Sequence, residues 1–268
     1  ANLAQGARQE QPGVWASQGQ WPRQSLATEM LPSSCQASFL LVLCCLAGWA
    51  GWDPIRRSGA SIKIACVGDS ITFGWPWGYP YPRQLEGILG RAYAVYNYGA
   101  SGAYVLERLQ PPASRTLPYI WALEYPWALA SRPDIVLIML GSNDARNHIL
   151  HHRAREFERD YTTLIGTFRG LSPQPKVFLL MPPPLYKDGI FTGMNQTVIN
   201  EVLPMLVQRI ARANGLPPPI DVFSAFREHC PLVSEHDCDW IVDGCHPNTA
   251  GSAAIARVVA AAIKAEVT

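Results

Sequence analysis

Charge is scarce in this chain and nearly cancels: 16% of its 268 residues are Asp, Glu, Lys or Arg, and the formal net charge is +1. With no Lys/Arg run and no basic stretch interleaved with aromatics, no nucleic acid or anionic surface is expected as partner. The seven cysteines (Cys35, Cys44, Cys45, Cys66, Cys230, Cys238 and Cys245) form no paired Cys-x-x-Cys spacing. A zinc-ribbon or thioredoxin-like reading therefore lacks its basic pattern. There is no internal repeat, and no apolar run of the ~20 residues that a membrane-spanning helix needs. What the chain does have is 48% hydrophobic residues, enough for a sizeable core and too many for a disordered chain.

Two regions differ in kind. Residues 1–60, rich in Gln, Ala, Ser, Gly and Pro with an apolar run at 39–50, are expected to be an N-terminal segment of low order. That run has the length of a signal-peptide core, and Gly48-Trp49-Ala50 places small residues at the two positions a cleavage site requires. The expectation is a secreted protein, with translation starting at Met30. The alternatives are a helix packed on the domain or a membrane anchor; membrane contact is expected only if 39–50 is retained. Residues 61–268 are expected to form one domain.

Within that domain strand-like and helix-like segments alternate. Ile62–Val67, Tyr93–Tyr98, Asp134–Leu140, Lys176–Met181 and Pro219–Phe223 are short apolar runs, three of them stopped by a glycine. Phe157, Tyr161, Leu164, Ile165 and Phe168 make one stripe of an amphipathic helix. Val198 to Ala213 reads as a second helix kinked at Pro204, and Ile255, Val258, Val259, Ala262 and Ile263 mark a third. This order predicts βαβ units, a mainly parallel five-stranded sheet covered on both faces, and a ligand site beyond the carboxyl ends of the strands.

The polar blocks fall where that site should be. They are Gly68-Asp69-Ser70, the glycine block ending at Gly102, Gly141-Ser142-Asn143-Asp144, and Asp243-Gly244-Cys245-His246. A serine hydroxyl attacks only if a base takes its proton, and His246 can be that base. Asp243 can hold the imidazole's other nitrogen, while the N–H groups of Ser70 and Gly102 and the Asn143 amide can receive an oxyanion.

In order and spacing these blocks resemble the SGNH (GDSL) hydrolase superfamily, from about Ile62 to Lys264. The resemblance implies a three-layer α/β/α, flavodoxin-like fold with neither metal nor organic cofactor. It also implies Ser70, Asp243 and His246 as catalytic residues, and Ser70, Gly102 and Asn143 as the oxyanion hole. Tyr81–Leu85, Pro133–Leu137 and Val198–Pro204 further resemble GDSL-type acylhydrolases of acetylated carbohydrates, sialate O-acetylesterase-like proteins among them. The sequence departs from the pattern in a tryptophan-rich loop after the nucleophile and in the cysteine-containing stretch from Cys230 to Cys245. Cys230 and Cys238 are spaced to close a disulfide loop, with Cys245 left as a thiol.

Single motifs of these kinds are commonplace; it is four in order that carry weight. Asp69 and Asp144 are expected to tie loop amides rather than to react. His148, His151 and His152 have a metal-like spacing but no carboxylate or cysteine completes it, and a polar surface loop is the expectation. Trp75, Trp77, Tyr79 and Tyr81 either line the substrate pocket or pack and stiffen the loop. Arg146 either meets a substrate carboxylate or merely solvates its loop. Function then rests between a short-chain, chiefly acetyl, carbohydrate esterase, a longer-chain lipase or thioesterase, and a catalytically idle binding domain.

Overall fold

The structure, a computed structural model, describes residues 62–267 apart from Trp75 and residues 108–116, 147–148 and 232–237. The apolar run at 39–50 and the boundary at residue 60 lie outside the described residues. Among the described residues no helix is long and apolar enough to cross a membrane.

Five strands, β1 (Ile62–Gly68), β2 (Tyr93–Gly99), β3 (Ile135–Met139), β4 (Lys176–Met181) and β5 (Ile220–Asp221), form one sheet in the order β2-β1-β3-β4-β5. Every pairing is parallel. Parallel strands are buried on both faces, which is why β3 (IVLIM) has no polar side at all. Its alternation still sorts residues by layer. Val136 and Ile138 join Phe157, Tyr161, Leu164, Leu206 and Ile210 in one core, beneath the helices Ala154–Arg169 and Leu203–Ala213. Ile135, Leu137 and Met139 join Tyr81, Leu85, Phe226, Ile255 and Val259 in the other, beneath Tyr81–Leu89, Val222–His229 and Thr249–Val267. The result is the expected three-layer α/β/α arrangement, and Tyr81 belongs to a core rather than to a pocket.

The strand order matters for function. Leaving β1 the chain crosses to β2 on one side, whereas β3 lies on the other, so the loops after β1 and β3 diverge and leave a crevice between them. A glycine stands at each exit, Gly68 as the last residue of β1 and Gly141 two residues beyond β3. At Gly99, which ends β2, a Cβ would lie 2.2 Å from the Phe73 nitrogen, so only glycine lets the second strand pass the turn carrying Ser70.

Two expected elements differ. The strand predicted at Pro219–Phe223 pairs only through Ile220 and Asp221. Asp221 accepts a hydrogen bond from the Ser224 N–H at 2.9 Å and caps a helix over Val222–His229. Val222, Phe223 and Phe226 are buried on that helix, so a helical spacing in the same apolar run outcompetes the strand. The single kinked helix over Val198–Ala213 is instead a π-helical turn, Val198–Val202, followed by an α-helix, Leu203–Ala213. Pro204 sits in the first turn of that α-helix, where its missing N–H costs little, and the wider turn absorbs the change of register.

Candidate active site

Ser70 opens a short helix, Ser70–Phe73, directly after β1. Asp69 caps it by accepting the Ile71 N–H at 2.9 Å, which fixes the turn and holds the Ser70 side chain over the crevice. Asp243 and His246 lie on the loop before the last helix. That loop is pinned by a bond from the Val242 N–H to the His246 carbonyl and by the Ile241–Pro247 bridge.

Ser70 Oγ is 2.9 Å from His246 Nε2, and His246 Nδ1 is 2.8 Å from Asp243 Oδ2. The other Asp243 oxygen accepts the backbone N–H groups of His246 at 2.8 Å and Cys245 at 3.1 Å. A carboxylate held in this way is acceptor-only, so Nδ1 carries the ring proton and the Nε2 lone pair faces the serine. Both His246 and Ser70 are buried. The Trp77 ring stacks on the imidazole (centroids 3.6 Å apart, 6° between planes), and Phe191 meets it edge-on at 5.0 Å.

A cavity of about 490 Å³ opens beside this relay. Gly102, with φ 77°, lines it together with Asn143, so all three expected oxyanion donors border one space. The Asn143 Nδ2 donates to the Ala103 carbonyl at 3.0 Å and reaches Asp69 Oδ2 at 3.3 Å. Its amide nitrogen thus lies between the residue preceding Ser70 and the residue following Gly102.

Of the expected pocket aromatics, Trp77 lines the cavity, whereas Trp75 lies outside the described residues. Tyr79 is not among the lining residues. It is 51% exposed, its hydroxyl accepts a bond from Arg83 Nε, and its backbone N–H donates to Thr249 Oγ1. Phe191 and Met194, which follow β4, line the cavity instead and carried no sequence motif. The one available sign is geometric: Phe191 holds a left-handed backbone (φ 46°), rare for a bulky residue.

Asp69 and Asp144 are fully buried, and burial pushes each carboxyl up to about 7 against the bonds it accepts. Asp144 takes the Val105 and Leu106 N–H groups at 3.0 Å, so both acids tie loops to the site. Cys230 and Cys238 are bonded to each other, and Cys245 is a buried thiol on the cavity wall whose pKa burial raises. Of the three clustered histidines, His148 lies outside the described residues, and His152 is exposed. Among the described residues, the grouping with metal-ligand character is His229, Cys230 and Asp239, where the Cys230 sulfur is already committed to Cys238.

Burial lowers the His246 pKa, the Asp243 carboxylate opposes this, and the net shift is below the ordinary 6.5. Burial raises Asp243, but the His246 and Cys245 bonds outweigh it and hold the carboxyl below 3.8. Only neutral imidazole accepts a proton, so a depressed pKa extends its working form toward acid. An ester-hydrolysis kcat/KM profile is expected to rise with pH, with a midpoint below 6.5. A midpoint clearly above that, or a steady fall toward neutral pH with the protein still folded, contradicts a buried histidine base.

Fold and geometry together define a three-layer α/β/α protein with a serine–histidine–aspartate relay at its sheet edge. Residues 66–254 match the GDSL-like Lipase/Acylhydrolase family, and the chain belongs to it. A curated acetylxylan esterase of Xylanibacter ruminicola is 31% identical over 240 residues, 82% of this chain and 46% of that protein. The chain thus spans about half of that relative's length. Among solved structures, Est24, a carbohydrate acetylesterase from Sinorhizobium meliloti, is 25% identical with a TM-score of 0.59, over 76% of this chain and 99% of the other. An aryl esterase of M. smegmatis shares the fold at 23% identity and a TM-score of 0.59, over 76% of this chain and 99% of its own.

Proposed function

We propose that this protein is a serine-dependent carboxylic-ester hydrolase that removes short acyl groups, acetyl foremost, from carbohydrate substrates. The observation that carries the reading is the unbroken relay from Asp243 through His246 to Ser70 at the wall of a cavity bordered by three oxyanion donors. Est24 and the acetylxylan esterase, both named for acetyl esters of carbohydrates, support the substrate class.

The residues divide the work as their bonds suggest. Ser70 Oγ forms a bond to the acyl carbon while its proton passes to His246 Nε2, and the carbonyl electron pair moves onto oxygen. Asp243 stabilises the resulting imidazolium without taking its proton. The Ser70 and Gly102 N–H groups and the Asn143 amide receive the oxyanion, a role in which preorganised donors gain most as charge develops. Collapse expels the alcohol, which takes the proton from His246. Water then repeats the sequence on the acyl-serine and releases the acid.

Acyl length is set by Trp77. Flat on His246 at 3.6 Å and lining the same cavity as Ser70, the ring takes up space there and presents an aromatic face, while Phe191 meets the imidazole edge-on. A groove for long chains would gain about 0.8 kcal/mol, nearly fourfold, for each methylene buried. Along a p-nitrophenyl ester series we expect kcat/KM to stay flat or fall beyond about four carbons, without that gain per methylene. A continuous climb from acetate to octanoate below the micelle threshold establishes a lipase instead. The Cys230–Cys238 bond supports export to an oxidising compartment, as does the signal-like run at 39–50.

A further inference from the structure

We infer that Arg146 is a positioning residue for the oxyanion: it holds and polarises the Asn143 amide so that this group donates to the developing charge. The inference rests on the esterase reading, because it concerns the same oxyanion.

Arg146 Nη2 donates to Asn143 Oδ1 at 2.7 Å, a short bond made by a group with no acceptor capacity. The amide oxygen must therefore face the guanidinium and the nitrogen must face away from it, toward Asp69 and Ala103, the chain neighbours of Ser70 and Gly102. Rotated by half a turn, the same amide would aim lone pairs at the oxyanion. A cation on the carbonyl end also draws density from the amide and makes its N–H a stronger donor, an effect enlarged in a poorly hydrated site. Arg146 itself is preset, since it bridges Met194 through the backbone, and the preceding Ala145 carbonyl accepts the Asn195 N–H at 3.3 Å.

The structure also separates the two roles open to this arginine in the sequence. It is not a solvated loop residue, because it is half-buried and lines the cavity. Its side-on edge is closed to a substrate carboxylate: Nη2 donates to Asn143, and Nε is buried without a hydrogen-bond partner. Asn143 has two acceptors facing its nitrogen, the Ala103 carbonyl at 3.0 Å and Asp69 at 3.3 Å. The contact to Asp69 is the longer, and is the one the amide can exchange for an oxyanion while Arg146 and Ala103 keep its plane.

The test is a double-mutant cycle on p-nitrophenyl acetate with R146M, N143A and N143A/R146M. R146K is added as the conservative variant, and active serines are counted by fluorophosphonate titration so that rates refer to folded protein. R146M is expected to lower kcat by about 10–100-fold with KM within about twofold, less than the ~10²–10³ expected for N143A. R146K should recover part of the loss, because an ammonium can still donate to Oδ1. In the N143A background R146M should change kcat by less than about threefold, the mark of one residue acting through another. Losses that multiply, or a rise in KM with kcat unchanged, overturn the role of Arg146 while leaving the oxyanion site intact. Wild-type kcat in N143A overturns the oxyanion assignment itself, and this inference with it. If R146M does not fold, the same cycle is run with R146K.

Discussion

Ser70→Ala is expected to lower kcat by about 10⁶-fold, the cost of losing the nucleophile in a comparable serine hydrolase. The change is structurally mild. The turn is held by backbone and by Asp69: the Gly74 N–H still reaches the Ser70 carbonyl at 2.9 Å, and Asp69 still caps Ile71. What disappears is the Oγ that stands 2.9 Å from His246 Nε2. The melting temperature should therefore stay near that of the unmodified protein while turnover falls to what binding and the oxyanion donors alone provide. The measurement is single-turnover hydrolysis of p-nitrophenyl acetate by protein freed of host esterases, beside fluorophosphonate labelling mapped to the Ser70 peptide. Near-normal rates in the alanine variant would remove Ser70 as nucleophile.

The second large effect is expected from Asp243→Asn, about 10⁴ in kcat, the size seen when a triad carboxylate becomes an amide. Here the bonding pattern predicts why. Asp243 Oδ1 accepts two backbone N–H groups, from Cys245 and His246, while Oδ2 faces His246 Nδ1. In the amide the oxygen is required at the first position, so the NH₂ is turned to the ring. Nδ1 must then accept, the ring proton moves to Nε2, and the lone pair that should take the serine proton is gone. The loop itself keeps its clamp, so the variant should fold normally. Nitrogen-15 NMR of the imidazole should show the changed tautomer alongside the lost activity. Retention of more than about a tenth of wild-type kcat, a thousandfold milder than the triad expectation, would deny Asp243 its orienting part.

Much of the candidate site is legible in the sequence, because three of its four blocks follow a strand whose apolar run announces itself, and the fourth, with Asp243 and His246, directly precedes the last helix. Periodicity reports which face of a local segment is buried, and the stripe from Phe157 to Phe168 is buried throughout. It weakens where a segment is short or contested. The Val222–Phe226 run suits strand or helix by composition, and the Asp221 cap decides for helix only once its partner nitrogen is in place. Likewise the alternatives for the aromatic loop could not be separated from residue type: Trp77 turns in onto His246 and Tyr79 turns out to Arg83, two positions apart on the same proline-stiffened segment.

By itself, then, the sequence determined the layers, the parallel sheet and the residue types able to form a relay, since these depend on local patterns of apolar and polar side chains. Tertiary structure alone decided which of them meet. Ser70 and His246 stand 176 positions apart, and they touch because the loop before the last helix folds back over the carboxyl end of β1. Phe191 and Met194 entered the site in the same way, through contacts between elements that no local period encodes. Such contacts depend on strand order and on how helices pack across the sheet, and those are properties of the whole fold.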